Sequence, residues 1–318
     1  MSQSEKKMLK KISIVIIIAI IAIIVFYFIR NNSPQQVFYR EKRVILGTFV
    51  EVTSDDIRAH DIVFNELSRV ERLLSKYDPQ SEVSRLNQSG KLRVSPETFY
   101  VISKAKEFCA QTNGAFDITI GPLMDLWGFT SRKYLLPSGE EIRQALRLVG
   151  CDKIILRAKD NMIQFKTRGV KIDLGGIAKG YAVDCAVKKL KEAKIDSCLI
   201  NAGGQIYCLG GKSSQPWKIA IRDSRERSGV AGYLNLKDKA VATSGNYEQS
   251  FKGDKKYYGH IFDPKTGYPK ESDIYSSTVI ADDSLTADCI ATAVFVLGKE
   301  EGELMALRFN GIELIIID

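Results

Sequence analysis

Residues 171–184 read KIDLGGIAKGYAVD, and the interpretation of the chain starts from this stretch. Its pattern predicts a short strand over 170–174, a turn at Gly175-Gly176, and a helix of about 17 residues that begins near Ile177. A series of short strands follows, separated by brief turns, before two closing helices and a last strand. Because such strands pair mostly antiparallel, the sequence predicts an α+β fold, a single domain with a largely antiparallel mixed sheet and flanking helices.

The segments upstream supply further elements of the same domain. VILGTFVEV (44–52) is predicted as one opening strand, and 56–76 as an amphipathic helix with one apolar stripe. Ser95 is a natural helix N-cap, followed by Pro96 at the first helical position. Two alternating runs around Asp160-Asn161 predict a hairpin.

The N-terminus predicts a membrane anchor. Residues 1–11 form a basic tail, 12–29 are almost wholly apolar, 30–42 form a polar linker, and the domain is expected over 43–318. About 18 apolar residues can just span a bilayer core of about 30 Å. Because lysines precede the run, the tail is expected in the cytoplasm and the domain outside it.

A cleaved signal peptide is the alternative for the same run. No A-x-A cleavage pattern follows it, and it is longer than the usual core of about 7–15 apolar residues. No cysteine precedes Cys109, so no lipid-modified cysteine can follow it. These features favour one uncleaved transmembrane helix, which would place the protein in the cell membrane as a single-pass protein with an extracytoplasmic domain.

Composition limits the classes of function. The net charge is +8, of which the tail contributes three charges and the rest is spread thinly. No dense basic run with interleaved aromatic residues is present, which argues against nucleic-acid binding. A mild basic excess suits an anionic substrate. The six cysteines form no C-x-x-C, so a zinc site is not expected; buried free thiols are favoured over disulfides.

The Gly175-Gly176 turn has the properties of a phosphate site without either familiar phosphate motif. Glycines allow a close backbone approach, a helix N-terminus presents free N–H groups, and Lys179 adds a full positive charge. Taken alone, a tight turn that binds no ligand explains these residues equally well.

LTADCIATAVFVLG (285–298) belongs to a helix predicted over 284–297, on which Asp288 and Thr292 share one face. A carboxylate and a hydroxyl are hard oxygen ligands suited to Mg²⁺ or Ca²⁺. The alternative is an exposed aspartate beside a threonine bonded to its own helix. A polar pair on so apolar a helix favours the metal site, since buried polar groups need partners.

Two further segments carry weaker signals. His260 is expected at the end of a strand that leads into a rigid turn, where functional groups are common, although a lone histidine is more often structural. In NGAFDITIGPL (113–123), Phe116 and Asp117 offer an aromatic ring and a carboxylate for a heteroaromatic ligand. By themselves, a core phenylalanine and a turn aspartate are the simpler interpretation.

Taken together and in order, eight motifs resemble the ApbE family, the FAD:protein FMN transferases. The resemblance covers about residues 43–310. The motifs are LGTFVEV (46–52), SKYDPQSEVSRLN (75–87), GAFDITIGPL (114–123), DLGGIAKGYAVD (173–184), INAGGQIYCLG (200–210), SGNYEQSF (244–251), HIFDPKTGYP (260–269) and TADCIATAVFVLG (286–298).

The resemblance implies a ligand set. It implies that Mg²⁺ is bound by the backbone carbonyl of Gly176 and the side chains of Asp288 and Thr292. It implies that FAD contacts Leu46, Tyr77, Ala115, Phe116, Asp117, Asp173, Lys179, His260 and Ile261. Two departures stand out: the family often has Met where Leu46 stands, a swap of similar size, and its members are often lipoproteins, whereas this chain lacks the lipid-bearing cysteine.

The implied reaction is Mg²⁺-dependent transfer of FMN from FAD to a threonine or serine hydroxyl of an acceptor protein, with release of AMP. His260 and Asp288 are the expected catalytic residues, with His260 as the base because imidazole titrates near pH 6.5. Asp288 or water are alternatives for the base. The expected acceptors are flavoprotein domains of membrane redox complexes or extracytoplasmic reductases. A FAD pyrophosphatase and a non-catalytic flavin-binding protein remain the alternative functions.

Overall fold

The computed structural model describes residues 3–31, 36–213, 215–226, 229–245, 250–253 and 256–318. The chain divides into two units, 1–37 and 38–318. In the first unit, helix α1 spans Gln3–Asn31. Among the residues whose side chains are described, no helix is long and apolar enough to cross a membrane. The predicted transmembrane helix at 12–29 is therefore not confirmed, and residues 32–35 of the predicted linker lie outside the described residues.

The second unit contains eight α-helices in its described part. They are α2 (Arg58–Leu74), α3 (Glu82–Ser89), α4 (Pro96–Gln111), α5 (Gly121–Leu126), α6 (Gly139–Leu146), α7 (Ala178–Glu192), α8 (Ser284–Leu297) and α9 (Lys299–Ala306). Side-chain caps fix several of their starts. The Ser95 hydroxyl accepts the Thr98 N–H at the start of α4, and the Asp283 carboxylate accepts the Thr286 N–H at the start of α8.

Fourteen strands are present in the same described part. They are β1 (Tyr39–Ile45), β2 (Thr48–Ser54), β3 (Lys91–Arg93), β4 (Ile154–Arg157), β5 (Met162–Phe165), β6 (Cys198–Ala202), β7 (Gln205–Leu209), β8 (Trp217–Asp223), β9 (Gly229–Leu236), β10 (Lys239–Gly245), β11 (Ser250–Gly253), β12 (Lys256–Gly259), β13 (Ser276–Ala281) and β14 (Glu313–Ile317).

A seven-stranded sheet organises the unit, in the order β1-β2-β6-β7-β10-β13-β14. Every pairing in it is antiparallel, which confirms the predicted antiparallel α+β class. Smaller sheets are β3-β5-β4, β8-β9 and β11-β12. The β8-β9 hairpin contributes Trp217 and Ile219 to a small core with Cys208 of β7.

Helix α8 lies at the centre of the unit. It packs on β10 and β13, and helices α7, α4 and α9 contact it. Eleven of its residues are buried, and so are all six residues of β13. A helix that is apolar around its whole circumference is expected to be buried on all sides. Any polar side chain on α8 is therefore held in a fixed, poorly solvated position.

Several predicted elements agree closely with the structure. Helix α8 spans the predicted 284–297, α2 lies within 56–76, and the hairpin β4-β5 turns at the predicted Asp160-Asn161. The helix after the glycine pair begins at Ala178, one residue from its predicted start. Strand β1 begins at Tyr39, four residues before the predicted start of the domain.

Two predictions of local structure are wrong, and one further prediction holds. VILGTFVEV is not one strand but a hairpin, because Leu46 and Gly47 adopt positive φ and turn the chain between β1 and β2. Residues 170–174 form no strand: the Ile172 N–H donates to the Asn87 side chain, whose amide donates back to the Ile172 carbonyl. His260 follows β12 directly, in agreement with its predicted place where a strand ends and a turn begins.

The cysteine prediction needs one correction. Cys109, expected as a free thiol, forms a disulfide with Cys151. The bond joins the end of α4 to the short 3₁₀ turn before β4. Cys185, Cys198, Cys208 and Cys289 are free, in agreement with the predicted thiols.

Candidate active site

The Gly175-Gly176 turn brings backbone against two side chains from distant segments. A Cβ atom on Gly176 would lie 3.1 Å from Cε2 of Phe116 and 3.3 Å from Oγ1 of Thr292. These contacts are tighter than ordinary van der Waals separations, so the missing side chain is what allows the approach. The turn is held by Asp173, whose Oδ1 accepts the Gly175 N–H at 2.8 Å.

Asp173 is itself held by a buried cation. The Lys76 Nζ lies 2.6 Å from Asp173 Oδ2, and the two side chains are 9% and 10% exposed. Lys76 also donates to Thr130 Oγ1 at 3.1 Å. Burial opposes the charged form of Lys76, but the nearby Asp173 carboxylate outweighs it and raises the lysine pKa. The Lys76 ammonium therefore keeps its charge at neutral pH.

Asp288 of α8 is a buried carboxylate that faces a second lysine. Its Oδ2 accepts the Gly180 N–H at 3.0 Å, and its Oδ1 lies 3.9 Å from the Lys179 Nζ. Burial raises the Asp288 pKa, and the Lys179 charge and the Gly180 hydrogen bond oppose that rise. An ionised carboxylate in this position requires positive charge close by.

Thr292 lies one turn further along α8. Its hydroxyl donates to the Asp288 carbonyl at 3.0 Å, which is the bond to its own helix that the sequence left open. Its oxygen is also 3.4 Å from the Ser244 hydroxyl at the end of β10. The same alternative expected an exposed aspartate, and this part of it is wrong because Asp288 is buried. The Thr292 oxygen can still accept a bond, and it lies 3.3 Å from the position that a Cβ atom on Gly176 would take.

The segment Ala115-Phe116-Asp117 approaches the turn from the other side. Ala115 and Phe116 are buried, and Phe116 touches the Gly176 position. The Asp117 carboxylate accepts the Thr119 N–H at 2.7 Å and the Thr119 hydroxyl at 2.6 Å, which caps the short 3₁₀ turn Ile118–Ile120. Burial raises the Asp117 pKa despite these bonds.

His260 and Ile261 begin a turn that is tied to helix α5. The Trp127 indole N–H donates to the Gly267 carbonyl at 3.1 Å, and the rings of Trp127 and Phe262 pack 6.1 Å apart. At the other end of α5, Gly121 abuts the backbone of Lys171, just before the glycine turn. This series of contacts connects the His260 segment to the Gly175-Gly176 turn.

Two other predicted ligands, Tyr77 and Leu46, have their described contacts elsewhere. Tyr77 is 64% exposed, and the Lys76 Nζ lies 5.1 Å from its ring centroid. Leu46 is partly buried and packs against the main core. The structure thus joins Phe116, Gly176, Lys179, Asp288 and Thr292 by direct approach, with Asp173 one hydrogen bond away.

Sequence reasoning missed several residues that shape the site. Lys76 and Asn87 both belong to the motif SKYDPQSEVSRLN, where a charged and an amide side chain carried no separate signal. Asp184, the last residue of DLGGIAKGYAVD, accepts the N–H groups of Ser284 and Leu285 at the start of α8. A carboxylate is favourable at this place, because a helix N-terminus carries partial positive charge, but no local pattern indicates so distant a cap.

The residues around Asp288 fit a divalent cation. Asp288 Oδ1, Thr292 Oγ1 and the Gly176 backbone are oxygen-bearing groups of the kind that Mg²⁺ prefers. Asp288 Oδ1 is also buried opposite only a distant ammonium group, so it suits a closer cation. A second group of possible metal-ligating atoms belongs to Cys109, Asp117 and Cys151, and these atoms lie within 4.8 Å of one another. Its sulfur atoms are joined in the disulfide and offer no thiolate ligand.

A surface cleft of about 700 Å³ lies beside the start of α8 and includes Asp184, Asp282 and Asp283. Its carboxylates already have structural partners. Asp184 and Asp283 cap α8, and Asp282 pairs with the Lys239 ammonium at 2.6 Å. The cleft therefore offers weaker ligand chemistry than the Asp288 cluster.

Comparison with known proteins identifies relatives along most of the chain. The model of the ApbE family matches residues 46–316. The FAD:protein FMN transferase of Klebsiella pneumoniae is 32% identical over 285 residues, which is 88% of this chain and 89% of the relative. That of Vibrio cholerae is 34% identical over 258 residues, 79% of this chain and 76% of the relative.

Solved structures share the fold. The ApbE protein of Thermotoga maritima superposes with a TM-score of 0.82 at 36% identity, over 88% of this chain and 94% of that chain. The flavin transferase ApbE of Vibrio cholerae gives a TM-score of 0.79 at 30% identity, over 88% of this chain and 93% of that chain.

Proposed function

The chain belongs to the ApbE family, and we propose that it transfers the FMN part of FAD to a threonine or serine hydroxyl of an acceptor protein and releases AMP. It is a transferase, as its FAD:protein FMN transferase relatives are. One observation supports the proposal most strongly. The Thr292 oxygen approaches the side-chain-free Gly176, and the buried Asp288 carboxylate, one helical turn from Thr292, faces Lys179.

That arrangement suits a diphosphate. Gly176 leaves room for phosphate oxygens close to the backbone, and helix α7 begins two residues later, so the partial positive charge of a helix N-terminus lies close by. The Lys179 ammonium donates to the Gly175 carbonyl at 3.2 Å and is therefore held at the turn. Its positive charge would offset the negative charge of the two phosphates.

Mg²⁺ is the proposed metal, held by Asp288, Thr292 and the Gly176 carbonyl. When bound there, it supplies positive charge that stabilises negative charge developing on the phosphate oxygens. The structural role of this chain is to fix those ligands. Asp288 cannot swing away, because Gly180 donates to its second oxygen and α8 is buried on all sides.

The proposed reaction is a phosphoryl transfer. The acceptor hydroxyl oxygen forms a bond to the phosphorus on the FMN side, and the bond from that phosphorus to the bridging oxygen breaks. AMP leaves with the electron pair, and the hydroxyl proton passes to a base. We assign that base to His260, whose segment is connected to the glycine turn through α5. Positioning and charge neutralisation provide most of the acceleration in reactions of this type.

We further propose that the domain acts outside the cytoplasm, anchored by the apolar run 12–29, on flavoprotein domains of membrane redox complexes or extracytoplasmic reductases. The Cys109–Cys151 disulfide supports this location, because disulfides persist in oxidising compartments and are rare in the cytosol. The lysines before the apolar run support the same orientation.

The test is an acceptor-labelling assay. The purified protein, FAD and a flavin-accepting domain should yield a covalently fluorescent acceptor band and one AMP per flavin attached, only when Mg²⁺ is present. Asp288→Ala should abolish labelling. Asp282→Ala removes a nearby carboxylate that pairs with a surface lysine, and it should label at the rate of the natural protein.

Other outcomes would overturn the proposal. Release of AMP and FMN without an acceptor, together with failure to label any acceptor domain, would identify a pyrophosphatase. Stable FAD binding without AMP release would identify a flavin-binding protein. Full labelling by Asp288→Ala would refute the metal site.

A further inference from the structure

The residue that the proposed function leaves unused is Lys76. It is one of the most enclosed lysines in the described structure, with a side chain 9% exposed, and its partner Asp173 is 10% exposed. Ionic groups are almost never this buried unless they are paired. Lys76 follows Ser75 directly, just beyond the end of α2. The lysine therefore links α2 to the segment that enters the glycine turn.

Both oxygens of Asp173 are engaged, and they face different parts of the structure. Oδ2 is 2.6 Å from the Lys76 ammonium, and Oδ1 accepts the Gly175 N–H at 2.8 Å. The Asp173 N–H donates to the Ile118 carbonyl at 2.7 Å, so the main chain is fixed as well. The path from Lys76 to the turn thus consists of one ion pair and one hydrogen bond.

We propose that Lys76 is a positioning residue for the dinucleotide. It holds the Asp173 carboxylate in the orientation that fixes the Gly175-Gly176 turn. The proposal rests on the proposed function, because the turn matters only if it receives the FAD diphosphate. Lys76 does not touch the phosphates; it acts through Asp173.

The chemistry explains why a lysine suits this place. An ammonium group has three donors, and here it serves both Asp173 and the Thr130 hydroxyl. Without it, the partner left to this buried carboxylate among the described residues would be the Gly175 N–H. Such a carboxylate would turn towards water or take up a proton, and the hydrogen bond that shapes the turn would weaken.

A second lysine–aspartate pair nearby provides a matched control. Lys171 Nζ lies 2.6 Å from Asp125 Oδ2, the same separation, but these side chains are 46% and 35% exposed. Lys171 also lies only two residues before Asp173. If positive charge near the turn were enough to fix it, replacing either lysine would weaken FAD binding. If the buried contact is required, only the replacement of Lys76 should weaken it.

The experiment measures FAD affinity by flavin fluorescence, together with KM for FAD and for the acceptor. Lys76→Met should weaken FAD binding at least tenfold and raise KM for FAD by a similar factor. KM for the acceptor should change less than twofold. Lys76→Arg, which keeps the charge, should stay within about threefold of the natural protein, and Lys171→Met should be unchanged.

A double-mutant cycle separates positioning from mere stability. If Lys76 acts only through Asp173, then Lys76→Met combined with Asp173→Asn should bind FAD within twofold of Asp173→Asn alone. The double variant buries no unpaired charge, so it keeps the test valid where Lys76→Met fails to fold. The proposal would be overturned if the losses of FAD affinity in the two single variants multiplied in the double variant. It would also be overturned if a folded Lys76→Met bound FAD as tightly as the natural protein.

Failure of this proposal can be distinguished from failure of the proposed function. If the natural protein binds FAD tightly but labels no acceptor, the transferase reaction is refuted. The double-mutant cycle measured by FAD affinity can still be interpreted in that case. Natural FAD affinity in Lys76→Met, with active labelling, would refute only the role of Lys76.

Discussion

The substitution Gly180→Ala tests how helices α7 and α8 set the position of Asp288. A Cβ atom on Gly180 would lie 2.3 Å from the Ser284 carbonyl oxygen and 2.8 Å from the Leu285 Cα. Ordinary contacts begin at 3.4 Å, so the added methyl group requires a displacement of about 1.1 Å (3.4 Å minus 2.3 Å). The opposing atoms belong to the backbone, and α8 is buried on all sides, so neither helix can yield cheaply.

The expected loss follows from these contacts. Overpacking of a well-ordered core costs typically about 1–3 kcal/mol, and a clash with backbone belongs at the upper end. Alanine regains about 1 kcal/mol of helix propensity relative to glycine. We therefore expect a net loss of about 2 kcal/mol in the free energy of unfolding, measured by urea or thermal denaturation with circular dichroism.

The substitution should affect the labelling rate more strongly than the free energy of unfolding. The Gly180 N–H donates to Asp288 Oδ2, so the same displacement stretches the bond that orients this carboxylate. A misplacement of about 1 Å can reduce a rate about 100-fold. The labelling rate at saturating FAD and Mg²⁺ should therefore drop by about two orders of magnitude, in a protein that is still folded at the assay temperature.

Gly139→Ala is the matched control. Gly139 begins α6, and the nearest atom to its added Cβ would be the flexible end of the Arg143 side chain at 3.5 Å. This variant should be as stable as the natural protein or slightly more so, with an unchanged labelling rate. If Gly180→Ala had the stability and the labelling rate of the natural protein, the two helix backbones would not be in contact, and the position of Asp288 would not depend on their separation.

Further variants test other parts of the site. His260→Asn should lower labelling at least 100-fold while FAD affinity changes less than threefold; an unchanged rate would exclude His260 as the base. Burial raises the pKa of Asp184 to about 7, so the folded state binds a proton that the unfolded state has lost. The protonated Asp184 therefore adds to the free energy of unfolding. This stabilisation is complete below about pH 4 and is lost as the pH rises through 7, with a slope of up to about 1.4 kcal/mol per pH unit. The stability difference between the natural protein and Asp184→Asn should show that slope in urea titrations, and a difference that is flat from pH 4 to 7 would contradict it. Replacing Cys109 and Cys151 together by alanine should lower the free energy of unfolding by about 2–4 kcal/mol, and a thiol reductant should then have no further effect on the melting temperature. A double variant as stable as the natural protein would show that the bond contributes nothing.

Local sequence signals predicted the structure correctly where they agreed with the tertiary environment. Helix α8 was predicted at its observed bounds because Asp283 caps its start and Gly298, at positive φ, follows its end. The glycine turn was predicted because two adjacent glycines before a helix have few other uses. The i and i+4 spacing of Asp288 and Thr292 then placed both side chains on one face, as observed.

The remainder depended on contacts between distant segments. The Cys109–Cys151 pairing could not be deduced from sequence, since spacing alone does not define connectivity. Residues 170–174 have a strand-like pattern, but the Asn87 side chain takes the hydrogen bonds that a neighbouring strand would make. The Lys76–Asp173 pair joins residues 97 positions apart (173 minus 76). No local pattern indicates which exposed-looking lysine will be buried.

The disulfide between Cys109 and Cys151 encloses a covalent ring of the chain. Ala115-Phe116-Asp117, α5, Trp127 and α6 all lie inside this ring, and so does the exposed stretch at 131–136. Trypsin cleavage after Arg132 or Lys133 would cut the polypeptide but not separate it. Such a nicked molecule would migrate as one species on a non-reducing gel and as two fragments after reduction, with the broken ring still tethered at both of its ends to the rest of the enzyme.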